Sequence, residues 1–210
     1  RMPKQVGSLI SKYFYDSKLK NPETSIIPDY DKQKHHELTL KKDTSIIFFS
    51  TSQRENPNDN DNKFNRQNKC NVQAIKELLE KLNTLYSDNL AKSKPFTIGI
   101  IAGYRGQVDL LKSSINLSQY SNFVQVETDE SGKQKKTNLI EINTVDKFQG
   151  AERDIIIYDI VRSSKGQSNI GFLDDYRRIN VAFSRVKRLL VVVGDSEYLI
   201  KRATLNQGGR

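Results

Sequence analysis

Apolar residues come in short clusters along this chain, and the spacing inside each cluster alternates between strand-like and helix-like. Ser45-Ile-Ile-Phe-Phe-Ser50, Phe96 to Ile101, Arg153 to Val161 and Leu189 to Val193 are rich in β-branched and aromatic residues and read as buried strands. Between them the period lengthens. Val6, Leu9, Ile10, Tyr13 and Phe14 recur at helical spacing behind Pro3, which suits a helix start, and Asn21-Pro22 ends that helix. Ile75, Leu78, Leu79, Leu82 and Leu85 predict a helix from Val72 to about Tyr86-Ser87-Asp88. Gln107 to Ser114 is helical with Val108 and Leu111 inward, and Ser196 to Thr204 is a closing helix. A further helix is expected from Asp175 to Val186, capped by Asp174, with Ile179, Phe183 and Val186 toward the core. Phe123 to Val126 and Leu139 to Ile142 alternate on either side of Asp129-Glu-Ser-Gly132-Lys, the pattern of a β-hairpin. Two strands are almost wholly apolar. The expectation is therefore an α/β fold, a mainly parallel sheet with helices on both faces plus a β-hairpin insertion.

Two stretches break the pattern. Residues 21–44 are polar, with Pro22 and Pro28, and read as an irregular connection. His35-His36 within it has no carboxylate at ligand spacing and reads as a solvated pair, not a metal site. Residues 51–71 hold seven asparagines mixed with Asp, Lys and Gln, a composition that supplies no packed core, so a mobile surface loop without chemistry is expected there.

Size and charge narrow the function classes. At 210 residues the chain suffices for one domain with a single core. Its 34 Lys+Arg against 25 Asp+Glu give a formal charge of +9, which favours a polyanionic partner. The single cysteine, Cys70, excludes an internal disulfide and fits an intracellular setting, nuclear or cytoplasmic. No apolar run is long enough to cross a membrane, so no membrane partner is expected. The start at Arg1-Met2-Pro3, with no signal-peptide pattern, suggests a piece of something longer.

The chemistry concentrates between residues 143 and 195. Gln149 and Gly150 form a polar turn before a strand, and Glu152 follows; Gly150 permits positive φ or close backbone approach, and Gln149 can donate to a ligand oxygen. Arg178, Ala182 and Arg185 are spaced to share one face of the expected helix, where a held guanidinium suits phosphoryl oxygens. The competing reading is a plain turn and solvated arginines paired with Asp174, Asp175 or Glu152. Ala102-Gly-Tyr-Arg-Gly106 follows a strand at the position where open α/β sheets bind ligands.

Taken together, Thr144-Val-Asp-Lys-Phe-Gln-Gly-Ala-Glu-Arg-Asp, then Val161-Arg-Ser, Ile170-Gly-Phe-Leu and Arg177-Arg-Ile-Asn-Val-Ala-Phe-Ser-Arg185 resemble motifs V and VI of superfamily 1B helicases. The likeness is greatest to the nonsense-mediated-decay helicase and senataxin group. Ile100-Ile-Ala-Gly-Tyr-Arg-Gly-Gln-Val and Arg1-Met2-Pro3 with Phe14-Tyr15 extend it, so that it covers about residues 1–20 and 96–200. The resemblance implies that residues 1–210 are the second, C-terminal RecA-like domain of an ATP-dependent helicase, the first being absent from this chain. It also implies ATP and Mg²⁺ as cofactors, with Mg²⁺ held by the first domain. Partners would be that upstream RecA-like domain and single-stranded RNA or DNA, RNA being preferred. By position, Arg185 and Arg1 match the arginines that reach the γ-phosphate. Gln149, Gly150 and Glu152 match the nucleotide contacts, and Tyr104, Thr144, Arg162 and Ser163 the nucleic-acid contacts. Arg178 either couples the two sites or forms a structural ion pair.

The departures are Ala102-Gly103 in place of a hydroxyl–Pro pair, Pro3 directly after Met2 where the family has an intervening His, and Asn68 where relatives often carry Glu. No Gly-x-x-x-x-Gly-Lys-[Ser/Thr] occurs, so the chain alone is expected to hydrolyse ATP negligibly. The alternative is a RecA-like nucleic-acid-binding or scaffolding module without ATPase activity. A nuclease centred on Pro28-Asp29 with Lys32 or Lys34 is disfavoured, because the spacing is too tight for a two-carboxylate core.

Overall fold

The computed structural model describes residues 2–20, 44–60, 62, 65–86, 96–163 and 176–207. Arg1, His35-His36, Pro28-Asp29 with Lys32 and Lys34, and Asp174 lie outside the described residues. In chain order the elements are α1 (Lys4–Phe14), β1 (Ile46–Ser50), α2 (Lys69–Leu85), β2 (Ile98–Ala102), α3 (Arg105–Ser114), β3 (Val124–Thr128), β4 (Gln134–Asn138), β5 (Ile140–Thr144), β6 (Arg153–Asp159), α4 (Tyr176–Phe183), β7 (Val186–Gly194) and α5 (Ser196–Gln207).

Five strands form one sheet in the order β1-β7-β6-β2-β5, and every pairing in it is parallel. The α/β expectation holds. Strand residues alternate between two cores. Ile98, Ile100, Ile155, Ile157, Leu189 and Val191 face α2 and α3, where Leu78, Leu79, Leu82 and Leu111 close one core. Ile101, Ile156, Tyr158, Leu190 and Val192 face the other way, against Val6 and Ile10 of α1 and Ala182 of α4. Burial on both faces is why these strands lack the polar alternation of a half-exposed sheet.

Three boundaries differ from the sequence reading. The hairpin pairs β3 with β4, Val124 opposite Asn138 and Thr128 opposite Gln134, as a separate antiparallel sheet. Leu139 to Ile142, expected as its second arm, instead contribute to β5 (Ile140–Thr144), the edge strand of the main sheet. The arms of the hairpin are mostly exposed, whereas Ile140 and Ile142 are buried, so core burial took the more apolar segment. Second, α4 ends at Phe183 and β7 begins at Val186, ahead of the expected Leu189. The cause is the ladder: Arg153 N donates to Arg185 O at 3.0 Å and Val186 registers with Arg153, so the sheet captures residues assigned to the helix. Ala182 is consequently core, not part of an exposed arginine face.

The third difference concerns residues 51–71. Among the described ones, Thr51, Asp59, Arg66, Asn68 and Asn71 are buried, and Asn68 caps α2 by accepting from Asn71 N at 3.0 Å. The asparagines are thus structural partners as well as surface residues.

One connection is unusual. A link between parallel strands in the same sheet normally needs roughly a dozen or more residues and a helix. The link from β5 to β6, residues 145–152, is shorter than that and must cross β2. It makes only a 3₁₀ turn, Val145–Phe148, and lies directly on the strand. Gly99 of β2 provides the clearance: a Cβ there would stand 2.8 Å from Phe148 Cε1 and 2.9 Å from Ile156 Cδ1. Phe148 is fully buried, and the Arg153 guanidinium lies 5.7 Å from its ring. Gly99→Val is therefore expected to destabilise the fold by about 1–3 kcal/mol through overpacking. Urea unfolding would show a lowered midpoint with an unchanged slope.

Candidate functional site

Because all five strands run the same way, the sheet has two unlike edges, and the candidate residues divide between them. At the edge where strands begin, the turn of residues 149–152 precedes β6 and Ser184-Arg185 precedes β7, and the Arg153 N–Arg185 O hydrogen bond makes them neighbours. Gly150 has φ +84°, and a Cβ there would meet nothing within 4 Å, so this turn needs glycine and faces open space. Gln149 and Glu152 are exposed, with Lys187 Nζ 4.0 Å from the Glu152 carboxylate.

Arg185 stands in the turn after α4. Its Nε donates to Val181 O at 3.1 Å and its Nη2 to Ser184 Oγ at 2.9 Å. A cation folded over the C-terminal carbonyls of a helix is favourably placed in the helix field. Reaching outward from there means giving up those hydrogen bonds, each worth on the order of 1 kcal/mol net. Arg178, on α4, lies 3.5 Å from Asp146 of the 3₁₀ turn. This pair is partly exposed and contributes little stability on its own. Its position matters more, because it ties the arginine-bearing helix to the short link.

At the other edge, Ala102 registers with both Thr144 and Asp159, and Asp159 with Val193, so strand ends carrying Thr144, Tyr104 and the 160–163 segment come together. Thr144 is half-buried at the end of β5 and begins the 3₁₀ turn. Tyr104 is half-buried at the start of α3, under the Arg66 guanidinium 5.7 Å from its ring. Arg162 and Ser163 differ from expectation: Arg162 is only 5% exposed and Ser163 is buried. Ser163 Oγ donates to Asp195 Oδ2 at 2.6 Å, and its backbone N to Asp59 Oδ1 at 3.1 Å. Asp59 is itself ion-paired with Arg66. Ser163 therefore braces the edge from inside, and Arg162 is buried beside it.

Behind this edge lies a polar network that the residue pattern did not disclose. Asp159 ends the central strand β6, fully enclosed, and accepts from Asn71 Nδ2 at 2.7 Å and Gln107 Nε2 at 2.6 Å. Asn71 also donates to Ile160 O at 2.9 Å and accepts from Thr51 Oγ1 at 3.1 Å. Gln107 Oε1 accepts from Asn68 N at 2.7 Å, and Asn68 Nδ2 donates to Val161 O at 3.0 Å. Burial raises the Asp159 carboxyl from the ordinary 3.8 to about 7, against the opposing pull of the two amide donors. The available signal was a carboxylate directly after the apolar run Ile155 to Tyr158, since a charge in that position must have partners.

The family model described as an AAA domain matches residues 1–197. The chain belongs to the AAA domain family of superfamily 1 helicases. Similar proteins include a regulator of nonsense transcripts 1 homolog from Drosophila melanogaster, 32% identical over 208 residues, 98% of this chain and 16% of the relative. Helicase sen1 of Schizosaccharomyces pombe is 28% identical over 199 residues, 95% of this chain and 10% of the relative. The DNA polymerase alpha-associated DNA helicase A of Saccharomyces cerevisiae is 38% identical over 134 residues, 64% of this chain and 16% of the relative. This helicase-family domain thus spans a small part of each relative's length. Among its described residues, no helix is long and apolar enough to cross a membrane.

The Asp159 carboxyl gives this edge a pH dependence. In the folded chain it keeps a proton up to about pH 7 that the unfolded chain releases near pH 4, so its contribution is complete at low pH and is lost as pH rises through that window. The stability of the natural chain relative to Asp159→Asn should fall between pH 4 and 7 by a few kcal/mol and then level off. Urea denaturation of both at stepped pH measures this. A constant difference would show that Asp159 is ionised throughout.

Proposed function

We propose that this domain is the second, C-terminal RecA-like domain of a nucleic-acid-dependent ATPase motor, receiving ATP at the edge where strands begin and a single strand at the edge where they end. The observation that carries the reading is the adjacency of Arg185 and the Gln149–Glu152 turn at one edge, with Thr144 at the other. A nucleotide fits that first edge in part. Gly150 leaves its backbone open to a ligand, Gln149 and Glu152 offer a donor and an acceptor, and Arg185 supplies a cation. Among the described residues there is no group of three His, Cys, Asp or Glu side chains placed to hold a metal ion. On this reading Mg²⁺ and the phosphate-cradling loop belong to an upstream RecA-like domain that faces this edge.

When bound, the nucleotide supplies the phosphoryl group whose transfer to water drives the motor. The residues of this chain then have three tasks. Gln149 and the Gly150 backbone hold the nucleotide against the turn, with Glu152 accepting from a ribose hydroxyl. Arg185, released from Val181 O and Ser184 Oγ, turns outward and stabilises negative charge on the transferring oxygens, together with Arg1. Thr144 and Tyr104 position the phosphate backbone of the strand, and Arg178 with Asp146 links the two edges. RNA is the proposed substrate, because a regulator of nonsense transcripts matches over nearly the whole chain. The setting proposed is intracellular, nuclear or cytoplasmic.

A binding or scaffolding module without ATPase activity is the second reading, and the folded-back side chain of Arg185 favours it. Arg185→Ala in the parent protein separates the two. ATP binding is expected to persist while single-turnover hydrolysis falls about 10³–10⁵-fold, the usual loss for an arginine finger. Unchanged hydrolysis would remove Arg185 from the chemistry. The 210-residue chain alone is expected to show no ATP turnover above background, and a helicase-like rate from it would contradict the two-domain cleft.

A further inference from the structure

The same strand-end edge carries a surface that the motor reading leaves unused. Helix α1 starts beside β1, where Gln5 Oε1 accepts from Ser45 N at 2.6 Å, so its last residues lie at the opposite edge. Helix α4 runs the other way, down to the turn that feeds β7, so its first residues lie at that edge too. There the two meet. The rings of Phe14 and Tyr176 stand 6.4 Å apart at 22°, nearly parallel. Asn180 Nδ2 donates to the Tyr15 hydroxyl at 3.1 Å, fixing the second ring against α4.

These rings are held, yet they are not buried. Tyr176 is 58% exposed and Tyr15 46%, while Phe14 beneath them packs on the core. The Arg177 guanidinium lies 5.8 Å from the Tyr176 ring, and Lys12 Nζ lies 5.3 Å from the neighbouring ring of Tyr13. Lys18 adds positive charge; among the described residues the acidic neighbour is Asp16, 3.5 Å from it. Exposed aromatic residues held side by side and rimmed by cations, not scattered singly, are the kind of patch that marks an interaction site. Flat, immobilised rings beside guanidinium groups match unpaired bases and their phosphates, through stacking that tolerates any base. The surface is also continuous with the candidate strand path. The residue after Arg177, Arg178, reaches Asp146, two positions beyond Thr144.

We propose that Tyr15 and Tyr176, with Arg177, form a stacking platform for an unpaired base of a single strand, one step beyond Thr144. This rests on the motor-domain reading and adds to it the point at which the strand meets α1 and α4. A stacked base typically contributes about 1–3 kcal/mol, a roughly fivefold to 150-fold effect on affinity.

The test uses the 210-residue chain and a fluorescein-labelled oligouridylate of about twelve nucleotides, within the usual site sizes. Fluorescence anisotropy at low salt is expected to show binding that weakens with added salt. Tyr176→Ala should weaken it about tenfold with an unchanged salt slope, and Tyr176→Phe should restore it, since the ring and not the hydroxyl does the stacking. Thermal unfolding of each variant confirms that the fold is intact. Binding by the natural chain with full affinity in Tyr176→Ala would overturn the platform and leave the motor reading standing. No binding by the natural chain would overturn both. Hydroxyl-radical footprinting of the parent protein provides the last arm. Protection of Tyr15 and Tyr176 only on adding the oligonucleotide supports the platform. Protection without it would mean that a protein segment covers these rings, and would overturn the proposal.

Discussion

The passage of residues 145–152 across β2 is the constraint on which both edges depend. A link this short cannot lift away from the sheet to form a helix, so it must lie on a strand, and Gly99 is where the strand lets it lie. Once Phe148 is seated there, the geometry on each side follows. Thr144 is delivered at the end of β5 and Gln149 to Glu152 at the start of β6, with no slack between them. The same link meets α4 through Asp146 and Arg178, on the helix that ends just before Arg185. A displacement of either end is therefore transmitted through few torsions and one buried ring. Packed interiors yield in steps, not by smooth deformation, and such a link suits a two-position device.

The strand-end edge is built on the opposite principle. There the sheet ends on a buried carboxylate, and the surrounding amides of Asn71, Gln107 and Asn68 satisfy it and the nearby carbonyls. A buried polar network of this sort is costly when any member is missing, and so defines one arrangement of α2, α3 and β6. Arg66, over the Tyr104 ring, and Asp59 extend it, and Ser163 with Asp195 extends it to the residue that follows β7. The edge offered to a ligand is thereby rigid, and the residues that make it rigid are not the ones that face outward.

Much of the fold was legible in the residue pattern, because β-branched apolar runs mark strands buried on both faces and leucine periodicity marks α2. What escaped was decided by competition between neighbouring segments. Leu139 to Ile142 alternates as a hairpin arm should, but Ile140 and Ile142 gain more in the main sheet than against β3. Val186 continues a helical pattern, yet its pairing with Arg153 draws it into the ladder. Asparagines in 51–71 read as solvated because composition does not reveal partners, and their partners lie far away in sequence, at Asp159 to Val161. The candidate nucleotide residues kept their neighbourhood, since Gly150 does adopt positive φ and Arg185 pairs with Arg153, just after that turn. Arg162 and Ser163 did not, because a position in a motif carries no information about burial.

On the proposed reading, a turn for phosphate and an edge for a single strand are joined by one stiff link, and the central claim is that this link transmits state between them. The direct measurement is the affinity of the parent protein for a single-stranded oligonucleotide, with and without a non-hydrolysable ATP analogue, in the natural protein and in Asp146→Asn. Coupling between sites is ordinarily worth roughly 5–150-fold in affinity. The account predicts that the analogue shifts strand affinity by an amount in that range in the natural protein. It also predicts that Asp146→Asn keeps both binding events while losing most of the shift. An undiminished shift in the variant would contradict it.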